Sequence, residues 1–536
     1  MRRRRHGWGA ARFRSGAPAA VLMTVALIAV LGGCDSLVLE QFLDEEDVTA
    51  PVPGGPITVS NITFNFFDIS WPEADDDWTP TEDLEYAAFG SQFDEIETLA
   101  EAEVYAEYYS GWQRGYTFIG SDEFPGAVDG LRYYINVFVR DSEGNTASYG
   151  QIEVTPPPRY DIFVRGPGDV PRVYRNYSEY GGPIAFSFDD VVYLGNFGVD
   201  GPVAIADLVE NGLLDLVQGQ AGAGNPVRTY INNGEWSDNG LVSLQELSGT
   251  AGEFEDIADF VALAEFNGDG FRDLLTIDTT PGNGVVSLNT FGQFSSVPIP
   301  QTDPVWNAPT FSVASAVDVA DVDFDGFDDV ILGRNGFPAI VFRNIGSGSF
   351  ETATTFGGGA TQELIVEPIT VGDDIPDVLQ IYSSSIRLDI GTGDAYTFLW
   401  HSASEIATLN LRCGTVADFD GDGDLDLAVG RLETAEIAVY LNAGISEDPA
   451  SGFWVESSSS IDLPGVSDAA DLAAADLDGD GDPDLVAISE LDQVLMVWSN
   501  EGSVPDSDVT FVGAYGFPVS LSSFVPKQLE VVPLVP

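Results

Sequence analysis

Three stretches of the chain place aspartates on alternate positions, then a glycine, then one more aspartate at the ninth position. They are Asp321/Asp323/Asp325/Gly326/Asp329, Asp418/Asp420/Asp422/Gly423/Asp426 and Asp476/Asp478/Asp480/Gly481/Asp484. A looser copy reads Glu265/Asn267/Asp269/Gly270/Asp273. Oxygens at alternate positions converge on one point only where the backbone curls around it, and glycine supplies the positive φ that such a curl needs. Several hard oxygens about one centre describe a calcium site. Carboxylates held this close repel one another, so the empty loop is unstable and the ion is coupled to folding. The plain alternative, a solvated acidic turn, accounts for the charge but not for the ligand spacing.

The flanks of the loops say which elements must hold them. A helix-loop-helix calcium hand runs twelve residues to a glutamate between two helices. Here each loop lies between short apolar runs: Val261–Ala264 and Leu274–Thr276, Ala314–Ala320 and Val330–Leu332, Thr415–Ala417 and Leu427–Val429, Ala473–Ala475 and Leu485–Ile488. Runs of that length are strands, so each loop joins two of them. First positions fall at Asp207, Glu265, Asp321, Asp418 and Asp476, where Asp207 opens a decayed copy (Asp207, Asn211, Gly212, Asp215). The intervals are 58, 56, 97 and 58 residues. The long one predicts a hidden unit, and Asp377-Val378-Leu379 repeats the unit's ending without its ligands.

Each unit continues into an alternating strand that often ends in asparagine: Val227–Asn232, Val285–Asn289, Ala339–Asn344, Ile386–Asp389, Ile437–Asn442 and Leu495–Asn500. Arg172–Asn176 is a further one, and Asp161-Ile162-Phe163-Val164 before it reads as a strand that follows a loop. Seven second halves stand against six loops, which predicts that Gln528–Leu534 is brought round to complete the first unit. Units of about 54 residues with four short strands read as propeller blades. Pairing the first strand with the last removes the free sheet edges.

The segments VADFDGDGDLDLAVG and AADLDGDGDPDLVAI resemble the FG-GAP/VCBS repeats of bacterial surface proteins, which are similar to the blades of the integrin α-subunit head. The resemblance covers about residues 160–536. It implies an all-β chain with a seven-bladed β-propeller, holding calcium in loops between blade strands on the face away from the ligand surface. Carried onto matching positions, it implies about four calcium sites, with side-chain ligands at positions 1, 3, 5 and 9 and a backbone carbonyl at position 7. These are Glu265, Asn267, Asp269 and Asp273 with Phe271; Asp321, Asp323, Asp325 and Asp329 with Phe327; Asp418, Asp420, Asp422 and Asp426 with Asp424; and Asp476, Asp478, Asp480 and Asp484 with Asp482. The copies at Asp207 and Asp377 depart from the pattern. Affinities of ~10⁻⁴ to 10⁻³ M, usual for extracellular modules, suit structural sites better than a sensor.

Residues 1–33 carry Arg2 to Arg5, Arg12 and Arg14, then an apolar stretch from Ala17 to Leu31 that is short for a membrane span. Leu31-Gly32-Gly33-Cys34 resembles the lipobox of bacterial lipoproteins, which implies cleavage before Cys34 and lipidation of its thiol. An acyl group there would tether an exported protein to the cell envelope, the leaflet being left open. Residues 34–50 read as an acidic tether. Residues 51–156 form a separate β pattern: Ile57–Ile62, Phe66–Trp71, Leu84–Phe89, Tyr133–Val139 and Gln151–Val154. LRYYINVFVRDSEGN resembles the F strand of a fibronectin type III domain, with Tyr133 at the tyrosine corner and Trp71 as the core tryptophan. Glu95–Tyr109 reads as an insertion. Pro156-Pro157-Pro158 makes a stiff joint to the repeats of 157–536.

The formal charge is −65, and the leader holds six of the 21 basic residues and no acidic one, so the rest is more acidic still. Such a chain repels phosphates, and nucleic acid is not the expected partner. Cys413 is the only cysteine besides Cys34, which leaves stability to the core, ring closure and metal. Past the leader His401 is the only histidine. That rules out a multi-histidine zinc site, and Trp400-His401-Ser402 does not resemble a nucleophile elbow. The expectation is a non-enzymatic, envelope-anchored binding or adhesion protein that engages a protein or a glycan. An extracellular polysaccharide-degrading enzyme using a carboxylate pair and a purely structural envelope protein are the rivals. Trp236, Trp306 and Trp454 are candidate ligand contacts, with packing between blades as the commoner use of large aromatics.

Overall fold

The computed structural model describes residues 47–532 apart from short interior stretches. Those of five residues or more are 121–126, 187–191, 194–200, 220–226, 237–241, 247–257, 300–309, 401–405, 445–453, 463–467, 503–508, 514–518 and 522–526. The leader, Cys34, Trp306 and His401 lie outside the described residues.

The chain is all-β with one short α-helix among the described residues. In the N-terminal part, Thr58–Ser60, Asp68–Ser70 and Phe118–Ile119 form one sheet, and Glu85–Ser91 pairs with Tyr133–Arg140 in a second. Phe67, Ile69 and Trp71 from the first meet Tyr86, Ile135 and Val137 from the second in a common core, with Tyr133 at its margin. The Glu95–Tyr109 segment holds the helix Leu99–Tyr105. Thr98 caps it by accepting from the Glu101 amide while the Glu101 carboxylate accepts from the Thr98 amide, a reciprocal cap that makes so short a helix persist.

From residue 161 onward antiparallel sheets follow one another. Val203–Ala206, Asp215–Gln218, Arg228–Trp236 and Val242–Glu246 make one; Phe260–Ala264, Asp273–Asp278, Asn283–Thr290 and Gln293–Pro298 make the next. Leu411–Ala417, Asp426–Arg431 and Glu436–Asn442 head another, and Asp471–Ala475, Asp484–Ser489 and Val494–Asn500 head the last. Between them lies a seven-stranded sheet, because the 18-residue strand Phe350–Glu367 is shared. Its first half pairs with Asp329–Asn344 and its second half with Asp377–Tyr382. The Asp377 unit is therefore a sheet of its own fused to its neighbour. Gly357 to Gly359 mark the crossing, where a Cβ at Gly357 would lie 2.5 Å from Gln380 Nε2.

The strand Asp161–Arg165 pairs on one side with Arg172–Tyr174 and on the other with Gln528–Val532, in register from Asp161↔Val532 to Arg165↔Gln528. The last strand thus completes the first sheet. Period-2 alternation sends neighbouring residues of a central strand to opposite sides: Leu485 and Ala487 pack toward the sheet before, Val486 and Ile488 toward the sheet after. The cluster of Val486, Leu495 and Val497 with Ile162, Val164 and Tyr174 joins the last sheet to the first. Cys413 lies within the strand Leu411–Ala417 and is buried among Phe419, Leu485 and Ala487, between that sheet and the next. Trp454 is buried against the Asp377 sheet, which places it in packing.

Candidate metal centres

Each loop is wound by its own first carboxylate. Asp418 Oδ1 accepts from the Gly421 and Asp422 amides and its Oδ2 from Gly423. Asp476 does the same with Gly479 and Gly481, and Asp321 with Asp325 and Gly326. The turn needs left-handed backbone twice. Position 6 is glycine throughout, and position 4 is Gly268, Gly421 and Gly479 but Phe324 in the third loop, with φ of 57°.

Carboxylate oxygens of Asp321, Asp323 and Asp325 lie within 4.8 Å of one another, as do those of Asp418, Asp420 and Asp426, and of Asp476, Asp478 and Asp484. Asp323 Oδ1 is a buried carboxylate oxygen with no hydrogen-bond partner, which an ion in the loop would satisfy. Only oxygen donors converge, and that donor set fits a hard divalent cation such as calcium. The Glu265 loop differs. Its acids do not gather into such a group; Glu265 Oε1 and Oε2 are taken up by the amides of Asn267 to Gly270, and Asn267 Nδ2 donates to Asp269 Oδ2.

The ninth position has a second use that the spacing did not disclose. Asp484 Oδ2 accepts from the Leu477 amide at 2.8 Å and its Oδ1 from the Asn500 amide at 2.9 Å. Asp273, Asp329 and Asp426 repeat both bonds. So does Asp215, and Asp377 makes them to Thr370 and Gly391. These carboxylates pin loop to strand whether or not the loop has metal ligands. Burial pushes Asp329 and Asp484 up to about 8, and Asp273 and Asp426 to about 7.

The asparagines ending the second-half strands link neighbouring sheets. Asn289 Nδ2 donates to the Leu208 carbonyl, Asn344 to Phe266, Asn442 to Ile369 and Asn500 to Phe419. Asn176 Nδ2 donates to Leu477 at 2.6 Å and closes the circuit from first sheet to last.

The third loop carries its own cation. Arg343 Nε donates to Asp323 Oδ2 and Nη2 to Asp325 Oδ2 at 3.0 Å. Leu288, Leu441 and Ser499 occupy the matching place before the other asparagines. A guanidinium beside the ligands opposes a divalent ion there. Arg343→Leu is expected to tighten calcium binding at this loop on the order of tenfold, softened by solvent and salt. Calorimetric titration reads it, and an unchanged or weakened site refutes it.

Two further acidic groups were not legible in the sequence. Asp47, Asp76 and Asp77 meet in the N-terminal part, with Asp47 Oδ2 and Asp76 Oδ1 buried and without a hydrogen bond. Glu363, Asp471 and Glu530, from strands of three different sheets, line a cavity of about 440 Å³, with Asp318 close by. Burial pushes Asp318 and Asp471 up to about 7 and Glu363 well above the ordinary range. Glu367 and Gln528 also face this space, and Arg412 lowers Asp471 only in part. Raised folded-state values mean that the stability these groups contribute is full below about pH 4 and is lost as pH rises through about 7. Asp471→Asn is therefore expected to raise the melting temperature at pH 8 and to raise it by clearly less at pH 5, where only the first part of that loss has occurred.

The FG-GAP-like repeat family matches residues 418–487, two successive acidic loops. No curated protein matches the chain. Among solved structures it is similar to an Agrocybe aegerita lectin described as recognising non-reducing terminal N-acetylglucosamine: 17% identity, 71% of this chain and 96% of the lectin covered, TM-score 0.48. A Bacteroides uniformis protein assigned as a 6-phosphogluconolactonase gives 13%, 70% and 100%, and 0.45. A Bacillus licheniformis rhamnogalacturonan lyase gives 11%, 86% and 91%, and 0.33. Binding proteins and enzymes stand side by side here. Among the described residues no helix is long and apolar enough to cross a membrane.

Proposed function

We propose that this is an exported bacterial binding protein, lipid-anchored through Cys34, in which a fibronectin type III-like sandwich carries a calcium-stabilised seven-bladed β-propeller that engages a protein or glycan ligand. The observation that carries the reading is the convergence of three carboxylates within 4.8 Å at corresponding places in three loops. The blade count rests on counting the fused seven-stranded sheet as two units. Ion, position-9 aspartate and inter-sheet asparagine act on the same turns, so loading the loops stiffens the ring that presents its opposite face. Binding sites tend to sit on loops held by such a rigid scaffold.

Immobilised glycan and protein arrays, probed with the purified chain in calcium and in chelator, test the reading. Retention in calcium without release of shorter products is expected. Product release abolished by one carboxylate change outside the loops would make the protein a polysaccharide-degrading enzyme. No retention on either array would leave a structural envelope role.

A further inference from the structure

We infer that the 476–484 loop is also the seat on which the N-terminal sandwich docks, so that an ion in this one loop holds the two parts of the chain in a fixed relation. The inference rests on the calcium reading of that loop.

Phe64 lies in the turn between the strands Thr58–Ser60 and Asp68–Ser70, a hairpin tip that solvent would cover if the sandwich stood free. It is 1% exposed. Its ring meets Tyr180 edge-on, with centroids 5.5 Å apart, and the Arg159 guanidinium lies 4.9 Å over its face. Tyr180 belongs to the turn after Arg172–Tyr174, and Arg159 to the joint between the two parts. The floor of this pocket is Gly479, position 4 of the loop. A Cβ there would lie 2.5 Å from Tyr180 Cδ2 and 2.9 Å from Phe64 Cζ.

The same stretch of backbone is held from both sides. The Gly181 amide donates to the Asp478 carbonyl at 2.7 Å, and Asn176 Nδ2 to the Leu477 carbonyl. From within, Asp476 accepts from the Gly479 amide at 2.6 Å and from Gly481 at 3.0 Å. Asp476 is thus both a converging carboxylate and the residue that shapes the floor under Phe64.

The sister loops lack the seat. Gly421 has nothing within 4 Å of its Cβ position, and Gly268 faces Phe327 of the neighbouring loop. An ion in the 476–484 loop fixes the floor on which Phe64 sits, and a seated Phe64 fixes the loop that takes the ion. Linkage makes the two effects equal in size.

The full chain and three variants, Asp476→Asn, Asp418→Asn and Phe64→Ala, test this by calcium count, calcium titration and hydrogen exchange. Asp476→Asn is expected to lose one ion and to speed exchange across residues 62–67 and 177–182 on the order of tenfold. Asp418→Asn is expected to lose one ion and leave those segments unchanged. Phe64→Ala, which leaves every ligand in place, is expected to weaken one site by a similar factor. Loss of an ion in Asp476→Asn with unaltered exchange, or a Phe64→Ala titration matching the parent, overturns the inference. An unaltered ion count in both aspartate variants overturns the calcium reading itself.

Discussion

Stripping calcium from the purified chain is expected to lower its melting temperature by on the order of 10 °C. At a dissociation constant of ~10⁻⁴ M and 10 mM ion, each loop contributes about 2.7 kcal/mol. Three such loops amount to about 8 kcal/mol, in a protein whose size makes each kcal/mol worth only about 1–2 °C. The count of three follows from the convergence at Asp321, Asp418 and Asp476 and from its lack at Glu265. In chelator the same carboxylates face one another without a counterion, and the acidity of the whole chain adds to their repulsion. Elemental analysis beside the melts decides the matter. A chain that holds no ion and melts alike in both buffers would remove the metal from the account of this fold.

The second large effect separates pinning from ligation. Asp377→Ala is expected to destabilise the protein by about 1–4 kcal/mol, because the buried Gly391 amide and the half-buried Thr370 amide lose their acceptor, at about 1–3 kcal/mol for a fully buried one. Its loop has no ligand positions, so the calcium count is expected to stay the same. Asp420→Asn is the complement. Asp420 takes part in a converging group and accepts from the Asp422 amide of its own loop, so the variant is expected to lose one ion, with a cost that is smaller in chelator than in calcium. Denaturant melts with and without chelator read both. A harmless Asp377→Ala would show that the ninth aspartate is not a structural pin.

The contrast explains why the Asp377 unit keeps its aspartate after losing the rest of the motif. In the sequence the ninth residue looks like one more oxygen at ligand spacing. In the fold it carries two backbone bonds in every loop from Asp215 to Asp484, and Asp161 accepts from the Asn176 amide in the first sheet in the same way. The terminal asparagines were visible as a habit of the repeat, but their partners lie 73 to 81 residues back, or 301 residues ahead for Asn176. No local pattern carries that information.

What the sequence determined by itself is, first, what nine residues or one strand can encode: alternate acids, the glycine at position 6 and the period-2 strands either side, which follow from backbone dihedrals and from which face of a strand is apolar, both local quantities. Counting those units along the chain added the repeat length and the return of residues near Gln528 to the first sheet, since seven second halves stand against six loops. Tertiary structure alone decided which oxygens converge, that Arg343 enters the third loop, that one strand serves two sheets, and that Phe64 rests on Gly479, more than four hundred residues away. Those outcomes depend on register and on the close approach of distant backbones, which are settled only when every sheet has found its neighbour.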